Sequence, residues 1–349
     1  MKKKINISFK RVLQQLKADL IGKDSHRGVT LTYAWLANQF GHISLGFIPA
    51  FLLHYFMSIS ALKAALCVSL FWFLFELYNF LGPLLSKKES NSDVLFVPKK
   101  NKYIFKPKWG NVAFDTFTDI CFFILGSFLF AFCIQKFNAT IIIIVLGVLS
   151  VYLAFATKYW YVTKMYQFYA RFPFQFRLSQ WDFTINIADK LKVDHFLNLK
   201  KGGNHLLIFG PLSAGKTSLG VGILNELSIK NNSCLYVSAI KMFNYFFNDG
   251  DDVLEAHEIW DWKTVDFLLI DDICPGEPIQ DELTSPKQVL SFIDTLKPIN
   301  TINREIIKDK NIIWILGSEQ SLAENEKDKW KGLLLDIGID KSKISIINL

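Results

Sequence analysis

The sequence predicts two folds in one chain: an α-helical transmembrane domain first, then an α/β three-layer domain with a parallel five-stranded sheet. Three observations carry this prediction. Four long apolar runs succeed one another before residue 157, more than one soluble core of this size would bury. Basic residues alternate strongly between the loops that join those runs. Beyond residue 178, short apolar runs alternate with charged helical stretches, the rhythm of βαβ units. A composition 51% hydrophobic and 20% charged also excludes a disordered chain.

Residues 1–30 form a basic cytoplasmic N-terminal arm, and a cleaved signal peptide is not expected because no short apolar core and cleavage site follow the lysines. From Gly28 to Leu62 there are 35 residues without a charged side chain, enough for one spanning helix of about 20 residues and its entry segment. The second run is Ala61–Leu81, the third Phe114–Gln135 and the fourth Ala139–Thr157. Together, residues 31–157 read as a four-helix transmembrane domain. Eight basic residues precede the first span, one lies between spans one and two, seven lie in the 83–112 connection, and one lies between spans three and four. That alternation places both termini and the 83–112 loop on the cytoplasmic side of the inner membrane. Residues 158–178, aromatic and basic together, suit either an interfacial linker in the headgroup layer or the cytoplasmic end of a long helix.

Several polar residues fall inside the spans. Asn38, Gln39 and His42 begin the first, Glu76 and Asn79 end the second, and Asp115 and Asp119 begin the third. His42 and Glu76 are a candidate pair, since an ionisable group in lipid requires a partner. His54 is the one ionisable residue in the outer half of span one. A proton or ion path and a packed polar cluster are both open readings. The five cysteines are scattered without a CxxC pair and read as small buried hydrophobes.

Residues 179–349 carry the chemistry. HLLIFG (His205–Gly210) reads as a buried strand and runs into GPLSAGKTS: Gly210, Pro211, Leu212, Ser213, Ala214, Gly215, Lys216, Thr217 and Ser218. This matches GxxxxGK[ST] between a strand and a helix, the setting in which backbone N–H groups and a helix N-terminus cradle phosphates. It defines a P-loop NTPase domain binding ATP and Mg²⁺, with Lys216 reaching the β- and γ-phosphates and Thr217 on the metal. VDFLLIDD (Val265–Asp272) is a second buried strand ending in two acids. Asp271 is the candidate metal acid, and Asp272 either polarises the attacking water or caps a turn. Further strands are expected at Ser233–Ala239, Asn311–Gly317 and Lys343–Asn348. Ser318, after the fourth strand, either senses the γ-phosphate or serves turn chemistry.

The run CLYVSAIKMFNYFFND followed by DFLLIDDI resembles the replication-initiator and helicase-loader branch of AAA+ ATPases (DnaA/DnaC/IstB-like). The resemblance covers about residues 200–320 and implies an ATP-binding α/β domain with Lys216, Thr217, Asp271, Asp272 and Ser318 in the usual roles. The family normally adds a helical lid with a sensor arginine after the fifth strand, and no C-terminal lid is expected here. Arg304 is the one arginine of the ATPase half and stands before the fourth strand. It is either an in-trans finger acting on a neighbour's ATP or a surface residue.

The functional expectation is a membrane-anchored ATPase, slow or partner-dependent, that switches a cytoplasmic partner or its own assembly. Its partners are membrane lipids and a second copy or another protein supplying an activating residue. Two alternatives stand beside it: a membrane-tethered nucleic-acid motor or loader of a mobile element, and an ATP-gated membrane effector or pore of a defence system. The charge distribution bears on nucleic acid. The net +7 divides into +14 over residues 1–178 and −7 over residues 179–349, whereas a nucleic-acid-binding domain presents a basic patch.

Overall fold

The structure is a computed structural model, and it describes residues 6–20, 30–81, 85–89, 94–98, 103–135, 139–199, 202–247, 259–273, 283, 285–292, 298–317 and 324–349. The chain divides into two compact units, one of residues 7–102 and 106–162 and one of residues 1–6, 103–105 and 163–349.

The first unit is helical. It contains α1 (Phe9–Leu20), α2 (Leu31–Met57), α3 (Ala61–Leu81), α4 (Trp109–Ile134) and most of α5 (Thr140–Tyr169). Helices α2 to α5 are each long and apolar enough to cross a membrane. A two-stranded antiparallel hairpin, β1 (Leu85–Glu89) with β2 (Val94–Pro98), lies in the 83–112 connection, where the sequence reading placed no regular structure. More than half of the apolar stretch of α4 is buried within the unit, against less than a fifth for each of the other three. The helix whose first turns carry Asp115 and Asp119 is therefore the one whose apolar stretch is most enclosed by protein.

Close approach of α2 and α4 rests on two glycines. A Cβ on Gly46 would strike the carbonyl of Phe123, and one on Gly126 would strike the carbonyl of Ile43. Small residues at such a crossing let helix backbones meet. Trp72 of α3 stacks on Phe123 with ring centroids 4.3 Å apart and donates Nε1–H to the Leu45 carbonyl at 2.8 Å. Ser69 and Ser127 share a hydrogen bond of 2.8 Å between α3 and α4.

This packing corrects the expected His42–Glu76 pair. His42 Nε2 instead meets Asp119 Oδ1 at 3.4 Å, because the glycine crossing brings α2 against α4. Glu76 accepts from its own-helix neighbour Asn79 at 3.5 Å. His54 is bonded through Nδ1 to the Ile59 carbonyl at 2.6 Å, at the turn between α2 and α3. Burial of the cysteines is also uneven: Cys121 and Cys234 are buried, Cys67 and Cys133 are exposed, and Cys274 lies outside the described residues.

The second unit begins earlier than the composition shift at residue 179. Met165, Tyr166 and Gln167, on the last turns of α5, and Ala170 just beyond are buried in it. Tyr166 and Tyr169 pack on Trp260 with centroids 5.4 and 5.8 Å apart, and Gln167 donates to Asn225 at 2.7 Å. Of the two readings of the aromatic segment 158–178, the structure therefore favours the end of a long helix. Tyr161 and Tyr166 are buried in protein, an environment as suited to Tyr as a headgroup layer is, while Tyr159, Phe168 and Phe174 stay exposed. Residues 103–105 also belong here, with Phe105 against Trp181 at 5.9 Å.

The sheet of this unit contains β3 (His205–Phe209), β4 (Cys234–Ser238), β5 (Phe267–Asp271), β6 (Asn311–Ile315) and β7 (Ile344–Asn348). All pairings are parallel, in the order β4-β5-β6-β3-β7. The five strands fall where the sequence put them. The three inner strands are buried at every residue, as expected of near-continuous apolar runs covered on both faces. Around the sheet lie α6 (Ile187–Phe196), α7 (Lys216–Ile229), α8 (Ala239–Phe247), α9 (Pro286–Phe292), α10 (Pro298–Asp309) and α11 (Glu324–Asp336). Helix α7 is the most buried, its Leu219, Ile223 and Leu224 joining Leu269 and Ile315 in one apolar cluster.

Candidate functional site

Strand β3 and helix α7 are joined by the glycine-rich loop at the carboxyl edge of the sheet, where parallel α/β folds place their ligand crevices. Ser213 and Gly215 hold left-handed backbones, with φ of 60° and 80°. At Gly215, the N-cap of α7, a side chain would also strike the Phe183 ring, so only glycine suits the position. The Gly215 carbonyl accepts from Trp181 Nε1 at 3.0 Å, Ser218 Oγ at 2.9 Å and the Leu219 amide at 2.9 Å. Those bonds fix the loop and leave the first amides of α7 available to an anion. Lys216 is 8% exposed, and its Nζ donates to the carbonyls of Gly210 at 2.7 Å and Pro211 at 2.6 Å.

Asp271 ends β5 and is 2% exposed. Oδ1 accepts from the Thr217 hydroxyl at 3.2 Å and the Asp272 amide at 2.9 Å, and Oδ2 accepts from the Tyr236 hydroxyl at 3.0 Å. Burial raises the Asp271 carboxyl above the ordinary aspartate range, and the neighbouring Asp272 charge adds to this. The three hydrogen bonds work against both. Burial, followed by the two acids, holds the Tyr236 phenol well above its ordinary value, so it stays a neutral donor. Asp272 follows with φ of 56°, a conformation that Asp tolerates better than most residues.

A cavity of about 390 Å³ joins these groups, within the range of small-molecule sites. Leu212 to Ser218 line it together with Asp271, Asp272, Ile315, Gly317, Phe174 and Phe183. Gly210 and Pro211 contribute the carbonyls that hold Lys216. The expected phosphate-loop residues and both strand-tip acids are thus brought together. Arg304 is not brought to them: its Nε donates to the Ile337 carbonyl at 3.2 Å and its Nη2 to the Asp336 carbonyl, capping the end of α11. Ser318 lies outside the described residues.

Sequence reasoning missed Tyr236, Phe174 and Phe183. For Tyr236 a signal existed, since alternation along CLYVS puts it on the face of Ser238, which pairs with Asp271. The two phenylalanines lie in an irregular stretch with no local pattern that would place them. The hard oxygens of Thr217 and Asp271, bonded to each other beside the loop, fit a small divalent cation that keeps most of its ligands from water or phosphate.

No family model and no curated protein matches the sequence. Among solved structures the chain is similar to DnaI, with a TM-score of 0.33 and 21% identity, covering 52% of this chain and 93% of that one. It is also similar to the DnaC helicase loader, with a TM-score of 0.32 and 15% identity, covering 49% of this chain and 96% of that one.

Proposed function

We propose that this protein is a membrane-anchored ATPase that binds Mg²⁺-ATP and uses binding and slow or partner-dependent hydrolysis to switch a cytoplasmic partner or its own assembly. One observation carries the reading. A GPLSAGKT loop at a helix N-terminus opens onto the same cavity as the buried acid Asp271, with Thr217 bonded to that acid at 3.2 Å. In this reading the backbone of Gly210 to Gly215 cradles the phosphates. Lys216 exchanges the Gly210 and Pro211 carbonyls for phosphate oxygens, and Thr217 and Asp271 hold Mg²⁺. Asp272, lining the cavity, orients the attacking water, and Ser318 senses the γ-phosphate. Held by Thr217 and Asp271, Mg²⁺ would supply positive charge to offset the negative charge of the phosphates. Arg304 takes part only if a neighbouring copy's assembly draws it from its α11 cap.

Helices α2 to α5 are read as spans of the inner membrane with both termini cytoplasmic, on the basic-residue alternation of the loops. Helix α1 supports contact with lipid. Phe9, Leu13 and Leu20 are exposed along one stripe beside Lys10, Arg11 and Lys17, a composition suited to an anionic membrane surface. Asp19 holds the end of α1 to the start of α2 by accepting from the Thr32 amide at 3.1 Å and the Thr32 hydroxyl at 2.8 Å.

The test is equilibrium binding of ATP with Mg²⁺ to the detergent-solubilised protein. Wild type is expected to bind, and Lys216→Ala to lose binding by at least tenfold. Equal nucleotide affinity in wild type and variant would overturn the reading.

A further inference from the structure

Strand β4 lies at one end of the sheet, and its pairing with β5 sets Tyr236 opposite Leu269 and Ser238 opposite Asp271. Tyr236 is thus one residue pair behind the acid on the same face, about 6.6 Å along the strand at 3.3 Å per residue. A phenol is long enough to span that offset and carries a donor at its tip. The hydroxyl reaches Asp271 Oδ2 at 3.0 Å. Among the described residues Tyr236 supplies the one hydrogen bond to Oδ2, while Thr217 and the Asp272 amide both bond Oδ1. The backbone of Tyr236 is held as well, since its amide donates to the Ala170 carbonyl at 2.9 Å. The phenol therefore projects from a strand edge fixed on both sides, by β5 and by the chain that leaves α5.

We propose that Tyr236 is a positioning residue for the metal acid: it grips Oδ2 of Asp271 and so fixes Oδ1, the oxygen shared with Thr217, as the one offered to a divalent cation. This deepens the ATPase reading and rests on it. The preference of the site for a metal, rather than for the nucleotide alone, then depends on one hydroxyl that makes no contact with either.

The experiment uses full-length protein in detergent and a fluorescent ATP analogue, measured in EDTA and then titrated with Mg²⁺. Tyr236→Phe removes the hydroxyl alone. It is expected to leave binding in EDTA within twofold of wild type and to raise half-saturating Mg²⁺ about tenfold, the loss of one hydrogen bond to a charged acceptor. Tyr236→Met, a long side chain without a donor, should give the same rise in half-saturating Mg²⁺ if the phenylalanine variant folds poorly. In an Asp271→Asn background, Tyr236→Phe should change the Mg²⁺ dependence no further. If wild type binds the analogue with a clear Mg²⁺ dependence and both Tyr236 variants match it, this proposal falls while the ATPase reading stands. If wild type binds no nucleotide, both fall.

Discussion

His205 makes the stability of the second unit dependent on pH, in a direction and window the structure defines. It opens β3 and is fully buried, its Nδ1 accepting from Trp314 Nε1 at 3.1 Å. The ring is therefore neutral, with its proton on Nε2. Burial pushes its pKa down to about 3; the Ile307 carbonyl opposes this shift and the Lys343 charge adds to it. In the unfolded chain the same residue titrates near its ordinary value of about 6.5. Between those two values the unfolded state binds a proton that the folded state refuses, so stability is full above about pH 6.5 and declines as pH falls toward 3. The loss works out at roughly 1 kcal/mol at pH 5.5 and about 2 to 3 kcal/mol at pH 4.5, against total stabilities of about 5–15 kcal/mol for ordinary domains. Asp271, raised above its ordinary range, has the opposite sign and gains stability as pH falls through its folded value. Asp189, held low chiefly through hydrogen bonds to Lys192, Asn348 and Asn186 against an opposing desolvation, loses stability only below the ordinary aspartate range. A difference measurement separates His205 from both. His205→Gln keeps an acceptor for Trp314 and cannot titrate. Urea unfolding of full-length protein in detergent, followed by hydrogen exchange in β3 and β6 peptides, should show wild type losing about 1 kcal/mol more than the variant between pH 7.5 and 5.5. Parallel curves over that interval would refute the reasoning.

Two further expectations concern packing. Arg177 Nε donates to Glu226 Oε1 at 2.8 Å, and the carboxylate is 7% exposed against 34% for the arginine. Arg177→Ala should lower the urea stability of the second unit by about 2 kcal/mol, below the figure for a fully buried pair because water reaches the guanidinium. In the helical unit, Gly46→Val should force α2 from α4, since the added Cβ has the Phe123 carbonyl in its place. The expected result is a melting temperature in detergent lowered by several degrees, and an unchanged melt would mean the crossing is not tight.

Local patterns made much of this molecule legible in advance. Strands β3, β5 and β6 are short apolar runs bounded by turn residues, and a phosphate loop is contiguous in sequence, so neither needs tertiary knowledge to be found. What failed depended on which helix stands beside which. His42 was paired with Glu76 by depth alone, whereas the glycines that decide its partner act through backbone approach that hydropathy does not encode. The aromatic end of α5 was ambiguous because Tyr and Trp suit both a headgroup layer and a protein core. Phe105, 100 residues before the first predicted strand of the second half and separated from it by two apolar runs, joins the second unit through Trp181, a contact across 76 positions that no local pattern announces.

The charges around the cleft bear on how fast the proposed ATPase would turn over. Phosphoryl transfer spreads negative charge over the γ-phosphoryl oxygens, and positive groups aimed there provide most of the catalysis. Among the described residues lining the cavity, Lys216 is the one that carries positive charge, and Asp271 and Asp272 line it too. Arg304 is committed to the carbonyls of Asp336 and Ile337. Mg²⁺ would offset the two acids, leaving one lysine for the transferred group. Such a site holds a triphosphate better than it cleaves one, because the same lysine serves ground state and transition state alike. Nucleotide occupancy would then persist until a partner or a second copy brings another cation, and the duration of the ATP state becomes a property of assembly. An arginine delivered in trans is worth about 10³–10⁵ in rate in other phosphoryl-transfer enzymes, so hydrolysis per chain should rise steeply with protein concentration in the membrane if assembly supplies it. A rate per chain that stays constant from dilute to crowded proteoliposomes would assign the missing charge to another protein.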